Sequence, residues 1–298
     1  MSFANLDQTP VDVMPEDHPV HMPFYVAATT LRVADLPGMT RWYQSVLGLD
    51  VVGQAAGQAV LGAGGQTLLT LESDPRATKA PRGAPGLFHT AYLMPRRADL
   101  ADWFAHVVSL GTRIIGASDH GVSEAIYLND PEGNGIEIYA DKPRAHWPQA
   151  PEGRLDFPTR PLDLQALFDS AAPDTPYRAP EGLRIGHLHL SVSALAQAEG
   201  FFVETLGFAI RNEMDSAQFY ASGGYHHHIA ANIWHARAGA VRPDVALGLA
   251  AYTLRLRDGA GIEALARSLD SRGMAYTRPQ TGLMLRDPWG TQVIIRAD

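Results

Sequence analysis

Val192-Ser193-Ala194-Leu195 … Phe201-Phe202-Val203-Glu204-Thr205-Leu206-Gly207-Phe208 decides the fold, because the chain carries its pattern twice. Val33-Ala34-Asp35-Leu36 … Trp42-Tyr43-Gln44-Ser45-Val46-Leu47-Gly48-Leu49 is the second copy. Val33/Val192, Leu36/Leu195, Leu47/Leu206 and Gly48/Gly207 all pair at an offset of 159 residues. A fixed internal offset marks a duplicated structural unit. Leu195, Ala198, Phe202 and Leu206 recur near helical spacing, so the reading is one amphipathic helix over 194–206. Gly207 ends it, as a glycine at a helix C-terminus does.

Working outward, a short apolar strand, Ile185 to Val192, opens the unit. Three further strands complete it: Phe208–Met214, Ala217–Ala221 and His227–Trp234. The unit is therefore βαβββ. A second repeated signal, Asp130-Pro131-Glu132-Gly133-Asn134 against Asp287-Pro288-Trp289-Gly290-Thr291, has an offset of 157. Four modules result: 24–72, 86–140, 183–236 and 247–296. One module leaves a sheet face open, so modules must pair. The expected fold is α+β, four βαβββ modules paired into two cupped β-barrels. Residues 1–23 read as an N-terminal arm and 24–142 as the N-terminal half. Residues 143–181, with eight prolines, read as a linker holding one short helix near Leu162–Ser170. Residues 182–298 read as the C-terminal half.

Composition narrows the chemistry. The 298 residues are 46% hydrophobic, which suffices for a sizeable core. There is no cysteine, so disulfides, thiol nucleophiles, Cys–zinc sites and Fe–S clusters are excluded. A net charge of −8 without a basic cluster argues against nucleic acid. No apolar run nears the ~18 residues of a membrane span, and no secretory signal is read at the N-terminus. A cytoplasmic protein is the expectation. Among its twelve histidines, His226, His227 and His228 are consecutive and His187 and His189 are two apart. Without cysteine, histidine and carboxylate remain to bind a transition metal.

Matching positions across the modules differ in kind. The opening strands carry His89 in module 2 and His187 in module 3. Module 1 has Ala28 there, and aligning Ala91-Tyr92 with Ala251-Tyr252 gives Leu249 in module 4. Module 2 has Glu137 four residues after Gly133, where module 4 has Ile294 four after Gly290. Metal-type residues thus concentrate in modules 2 and 3. Two imidazoles and one carboxylate form a facial triad suited to non-haem Fe(II), with positions left for a bidentate diol and O2. Glu137 between Ile136 and Ile138 is costly to bury unless paired or metal-bound; the bland reading is that it faces solvent.

Four βαβββ modules, the Leu-Gly-Phe helix end and the Asp-Pro-x-Gly-Asn turn resemble the vicinal oxygen chelate superfamily over residues 24–296. Gly186-His187, Leu87-Phe88-His89 and the run Asp130 to Glu137 resemble its extradiol dioxygenases, such as the catechol 2,3-dioxygenases. That resemblance implies His89, Glu137 and His187 as metal ligands, with Fe(II) expected and Mn(II) the alternative. It implies His227 as the acid–base residue, with His226 and His228 the other choices. His120, before Gly121, and Tyr127, ten residues before Glu137, would hydrogen-bond substrate oxygens. His189 and His228 are read as substrate-binding, and His189 also as a substitute ligand. The remaining His18, His21, His106, His146 and His235 are read as surface or tail residues.

The two-ligand module comes second here, whereas in the best-known catechol-cleaving members it comes last. The triad closes only if modules 2 and 3 share a barrel. The implied reaction is extradiol cleavage of a catechol by O2 to a 2-hydroxymuconic semialdehyde-type product, in aromatic compound catabolism. Hydroquinone cleavage and a non-redox glyoxalase-like isomerase or transferase are the alternatives. The expected partners are a small aromatic diol and O2, with no nucleic acid and no membrane, in a homo-oligomer.

Overall fold

Phe24 to Ser73 form the first module: β1 (Phe24–Val33), α1 (Leu36–Leu47), β2 (Asp50–Ala55), β3 (Gln58–Ala63) and β4 (Gln66–Ser73). The structure is a computed structural model and describes residues 23–150, 154–174, 176–257 and 259–298. The arm read at 1–23 thus lies outside the described residues except for Pro23, as do His18 and His21. Asp35 starts α1 by accepting the Gly38 amide at 3.0 Å. Gly48 ends it at φ 71°, a left-handed conformation that glycine adopts without strain.

Module 2 comprises β5 (Gly86–Leu93), α2 (Arg97–Ser109), β6 (Gly116–Asp119), β7 (Ser123–Asn129) and β8 (Gly135–Asp141). The linker carries α3 (Leu164–Asp169), capped by Asp163 on the Ala166 amide. Module 3 comprises β9 (Arg184–Ser191), α4 (Leu195–Glu199), a π-helical turn Gly200–Thr205, β10 (Ala209–Met214), β11 (Ala217–Ala221) and β12 (Ile229–Asn232). Module 4 comprises β13 (Gly248–Leu256), α5 (Gly259–Ser271), β14 (Tyr276–Thr277), β15 (Leu283–Arg286) and β16 (Gln292–Ala297).

Two eight-stranded sheets hold these strands. One has the order β14-β15-β16-β13-β1-β4-β3-β2, and the other β10-β11-β12-β9-β5-β8-β7-β6. Module 4 is thus paired with module 1, and module 3 with module 2, as cupped half-barrels. This is the pairing that the distribution of His89, Glu137 and His187 demanded of the sequence.

Three local readings are corrected. The helix expected over 194–206 is an α-helix only to Glu199. It then widens into the π-helical turn, with the Thr205 hydroxyl donating to the Gly200 carbonyl at 2.9 Å. The last strand of module 3 begins at Ile229, so His227 precedes it. It ends at Asn232, whose side-chain oxygen accepts the Trp234 amide at 3.1 Å and turns the chain. Strand register also moves the counterpart of His89 in module 4. Ala91 pairs with Glu137, and Thr253 with Ile294, so position 89 matches Ala251 rather than Leu249. The residue there is still apolar.

The chain divides into two compact units. Among the described residues, one comprises 30–77 and 89–185; the other comprises 23–29, 78–88 and 186–298. In the first, the Trp103 indole donates to the Val46 carbonyl at 2.9 Å, and the Tyr43 hydroxyl donates to Asp130 at 3.0 Å. The proline-rich segment is packed into this unit: the Ala179 amide donates to the Gly48 carbonyl at 3.0 Å, and Tyr177 stacks on His106. In the second unit, Phe24, Phe202 and Phe208 form a ring cluster, and the Trp289 indole donates to Ser193.

Candidate metal centre

Glu137 owes its position to a turn and a ladder. Asp130 folds the turn: Oδ1 accepts the amides of Glu132 and Asn134, and Oδ2 accepts the Asn134 side-chain amide and the Tyr43 hydroxyl. Gly133 at φ 90° supplies the left-handed step. β8 then runs parallel to β5 and antiparallel to β7. Glu137 lies beside Ala91 and opposite Tyr127. Because side chains alternate along a strand, His89 shares the face of Ala91. His89 Nε2 lies 2.9 Å from Glu137 Oε2, and both residues are buried. Ala91, Leu93, Ala125 and Tyr139 pack as an apolar floor beneath Tyr127.

His187 is on β9, buried at 3% exposure. Its ring centroid lies 4.1 Å from that of His227. Ligand-capable atoms of His89, Glu137 and His187 all lie within 4.8 Å of one another. Among the described residues these three therefore form a buried His₂–carboxylate group of the facial-triad type. A buried carboxylate in an apolar sheet needs a counter-charge or a cation, and the donor set of two imidazoles and one carboxylate fits a divalent first-row metal.

Of the three consecutive histidines, two pair with each other and the third is held apart. His227 Nδ1 and His226 Nδ1 are 2.8 Å apart, so one donates and the other accepts, and neutral rings must be complementary tautomers. His227 also packs edge-on against Phe219 at 5.2 Å. His226 stacks on Tyr225. His228 is fully buried elsewhere: its Nδ1 accepts the Ser222 amide at 3.2 Å, and its ring meets Tyr225 and Phe208. Of the three, His227 lies nearest His187.

His189 is on the same strand face as His187. The Asn232 side-chain oxygen already accepts the Trp234 amide, so its NH₂ faces His189 Nε2, at 3.0 Å. His189 Nε2 is therefore an acceptor. Phe88 packs on His189 at 4.9 Å and on Trp234 at 5.2 Å, and His235 stacks on Phe88 at 5.8 Å. Phe219 meets His189 at 6.0 Å. Reasoning from the sequence missed this aromatic wall of Phe88, Phe219 and Trp234. Of the three, only Phe88 stands next to a candidate residue in the sequence; Phe219 is brought there by the pairing of β11 with β12, which sets it opposite Ala230.

His120 and Tyr127 meet directly. Their Nε2 and hydroxyl oxygen are 2.9 Å apart, and Tyr127 packs against the His89 ring at 5.6 Å. Burial, followed by the negative charge of Glu137 and a hydrogen bond with it, pushes the Tyr127 phenol well above its usual pKa. Tyr127 therefore stays protonated at neutral pH.

The Glyoxalase/Bleomycin resistance protein/Dioxygenase superfamily matches residues 25–138. The chain belongs to this superfamily. Its relatives include the catechol-2,3-dioxygenase of Bacillus subtilis (strain 168), 36% identical over 273 residues, 90% of this chain and 95% of that protein. The biphenyl-2,3-diol 1,2-dioxygenase 3 of Rhodococcus globerulus is 31% identical over 119 residues, 39% of this chain and 63% of that one. A solved Bacillus subtilis structure covers 92% of this chain and 85% of its own, at a TM-score of 0.64 and 15% identity. Glyoxalase I from Zea mays covers 93% and 94%, at 0.57 and 16%. At such identities the two structures speak to fold alone.

Proposed function

We propose that this chain is an extradiol dioxygenase that cleaves a catechol-type aromatic diol with O2 at an Fe(II) held by His89, Glu137 and His187. The convergence of these three buried side chains carries the proposal. The relatedness to a catechol-2,3-dioxygenase along most of the chain supports it. When bound, Fe(II) supplies one-electron exchange between an electron-rich diolate and O2, which direct reaction of the two lacks.

The chain's own groups supply the rest. A catechol that chelates through both oxygens must lose a proton. His227 is the residue to take it, standing beside His187 with Nδ1 engaged by His226 and Nε2 as its other ring nitrogen. The same nitrogen returns the proton as the ring opens. Phe219, packed on both His227 and His189, excludes water from that side. One diol and one O2 give one 2-hydroxymuconic semialdehyde-type product, with no external reductant.

The test is anaerobic loading with Fe(II), followed by air and a panel of substituted catechols, reading O2 uptake and the yellow semialdehyde. Equal consumption of O2 and diol is expected. Glu137→Gln is expected to bind trace iron and to abolish turnover. No O2 uptake from iron-loaded protein across the panel, with isomerase or transferase activity in its place, would sink the proposal. Uptake with hydroquinones alone would move it to the para-diol reaction.

A further inference from the structure

One face of α1 and the turn before β8 enclose a cleft of about 460 Å³, and all of it lies within the first of the two units. That volume is in the range of small-molecule sites. Met39 and Trp42, three residues apart, share one face of the helix and form one apolar wall. Pro131 forms the other. The walls are tied together at two points. The Tyr43 hydroxyl donates to Asp130, the residue before Pro131, and the Tyr43 ring packs T-shaped against Trp42 at 5.0 Å. Glu132 accepts the Ala34 amide at 2.9 and 3.0 Å and the Asp35 amide at 2.9 Å. The cleft is therefore preformed, which spares a ligand the cost of ordering it.

Its polar groups divide into engaged acceptors and unengaged donors. The two carboxylates that line it, Asp35 and Glu132, cap the start of α1. Glu132 holds the Ala34 and Asp35 amides, and Asp35 holds the Gly38 amide at 3.0 Å. The positive end of the helix offsets their charge. Arg41, exposed on the same helix, also lines the cleft. Among the described residues Arg41 forms no ion pair, and the indole N–H of Trp42 forms no hydrogen bond. A guanidinium and an indole N–H only donate. A ligand that fits must therefore bring acceptors, and a flat apolar body to lie on the indole. We propose that this cleft binds a small planar carboxylate, its conjugated body against Trp42 and its carboxylate on the Arg41 fork.

Two sources share that chemistry: an aromatic acid and an open-chain conjugated acid. None of the residues that line the cleft belongs to the candidate metal centre, so the site does not depend on the proposed reaction. Its ligand would bear on Pro131 and Glu132, in the turn from which β8 runs to Glu137. The bland reading, a water-filled groove beside a helix, predicts no selectivity among solutes.

The indole N–H of Trp42 reports binding directly in ¹H–¹⁵N correlation spectra of the full-length, ¹⁵N-labelled protein loaded with diamagnetic Zn(II). Trp42→Phe assigns its signal. Benzoate and sorbate are titrated beside benzyl alcohol, which keeps the ring without the charge, and acetate, which keeps the charge without the flat body. Saturable displacement of the Trp42 signal by benzoate, sorbate or both is expected, and the tighter of the two says whether the ring acid or the open-chain acid is the better fit. Arg41→Gln is expected to weaken that binding by roughly tenfold or more, the scale of a lost charge-assisted hydrogen bond. Its melting temperature should match wild type, because Arg41 is exposed. No displacement by either acid, an equal response to benzyl alcohol or acetate, or undiminished binding in Arg41→Gln overturns the proposal. Ring cleavage is not read in these spectra, so loss of the dioxygenase reading would leave their result standing.

Discussion

Asp287 shows how a single buried carboxyl links the turn chemistry of this fold to pH. It occupies in module 4 the place that Asp130 holds in module 2, accepting the amides of Trp289 and Thr291 at 3.0 and 2.9 Å. Burial pushes its pKa up to about 7, against the lowering effect of those amide bonds. The sign follows from proton counting. An unfolded aspartate releases its proton near pH ~4, and the folded one holds it to about 7. Between these values the folded state binds the extra proton, so stability falls as pH rises through that window. Asp287→Asn keeps an oxygen for the amides and removes the titration. Melting temperatures from pH 4 to 8 are expected to fall less steeply in this variant, with the larger relative gain at the alkaline end. Parallel profiles for variant and wild type would show that Asp287 ionises normally. At the metal centre, His227→Asn is expected to lower kcat by about 10² or more, the scale of a lost general acid–base. Its iron content should match wild type, measured by inductively coupled plasma mass spectrometry. Lost iron would make His227 a ligand instead. The ligand candidates were legible because metal-type residues stood where sister modules had alanine and isoleucine. The partners of His227 and His189 were not legible, since ring packing by Phe88, Phe219 and Trp234 depends on strand register that no single-strand pattern encodes.

At the scale of elements, the repeat predicted four helices of similar kind, and module 3 departs from this at Gly200. Regular α-helical bonding stops there and a wider turn takes over to Thr205. Periodicity missed the change because Ala198, Phe202 and Leu206 remain on one buried side whichever ladder carries them. Gly200 itself has φ −56° and ψ −34°, ordinary helical values, and a Cβ added there would meet no neighbouring element within 4 Å. Glycine there costs unfolded-state entropy without a steric return. Gly200→Ala is expected to stabilise the protein by roughly 0.5–1 kcal/mol in urea unfolding, with an unchanged m-value. Destabilisation would mean that the π-helical turn needs glycine's freedom. The glycine stops, by contrast, were legible to the residue: Gly48 and Gly207 take φ of 71° and 80° where the repeat put helix ends.

Over the whole molecule, the order of strands makes each half of the chain incomplete. Residues 24–142 supply β1–β4 to one sheet and β5–β8 to the other, and residues 182–298 supply the remaining four strands of each. The sequence allowed this to be foreseen only because two candidate ligands fell in module 2 and one in module 3; hydrophobic patterning alone permits sequential pairing equally well. The physical consequence is testable without any knowledge of substrate. In the intact sheets β1 and β5 are interior strands. Half-chain 24–142 expressed alone would present both as long, apolar open edges, the kind of edge that natural sheets avoid exposing. It is expected to aggregate, or to exchange the amides of β1 and β5 rapidly, whereas co-expression with 182–298 restores solubility and slow exchange in the same strands. A soluble, monomeric 24–142 with slow exchange throughout β5 would show that the half closes on itself, and that the eight-stranded arrangement is not required for its stability.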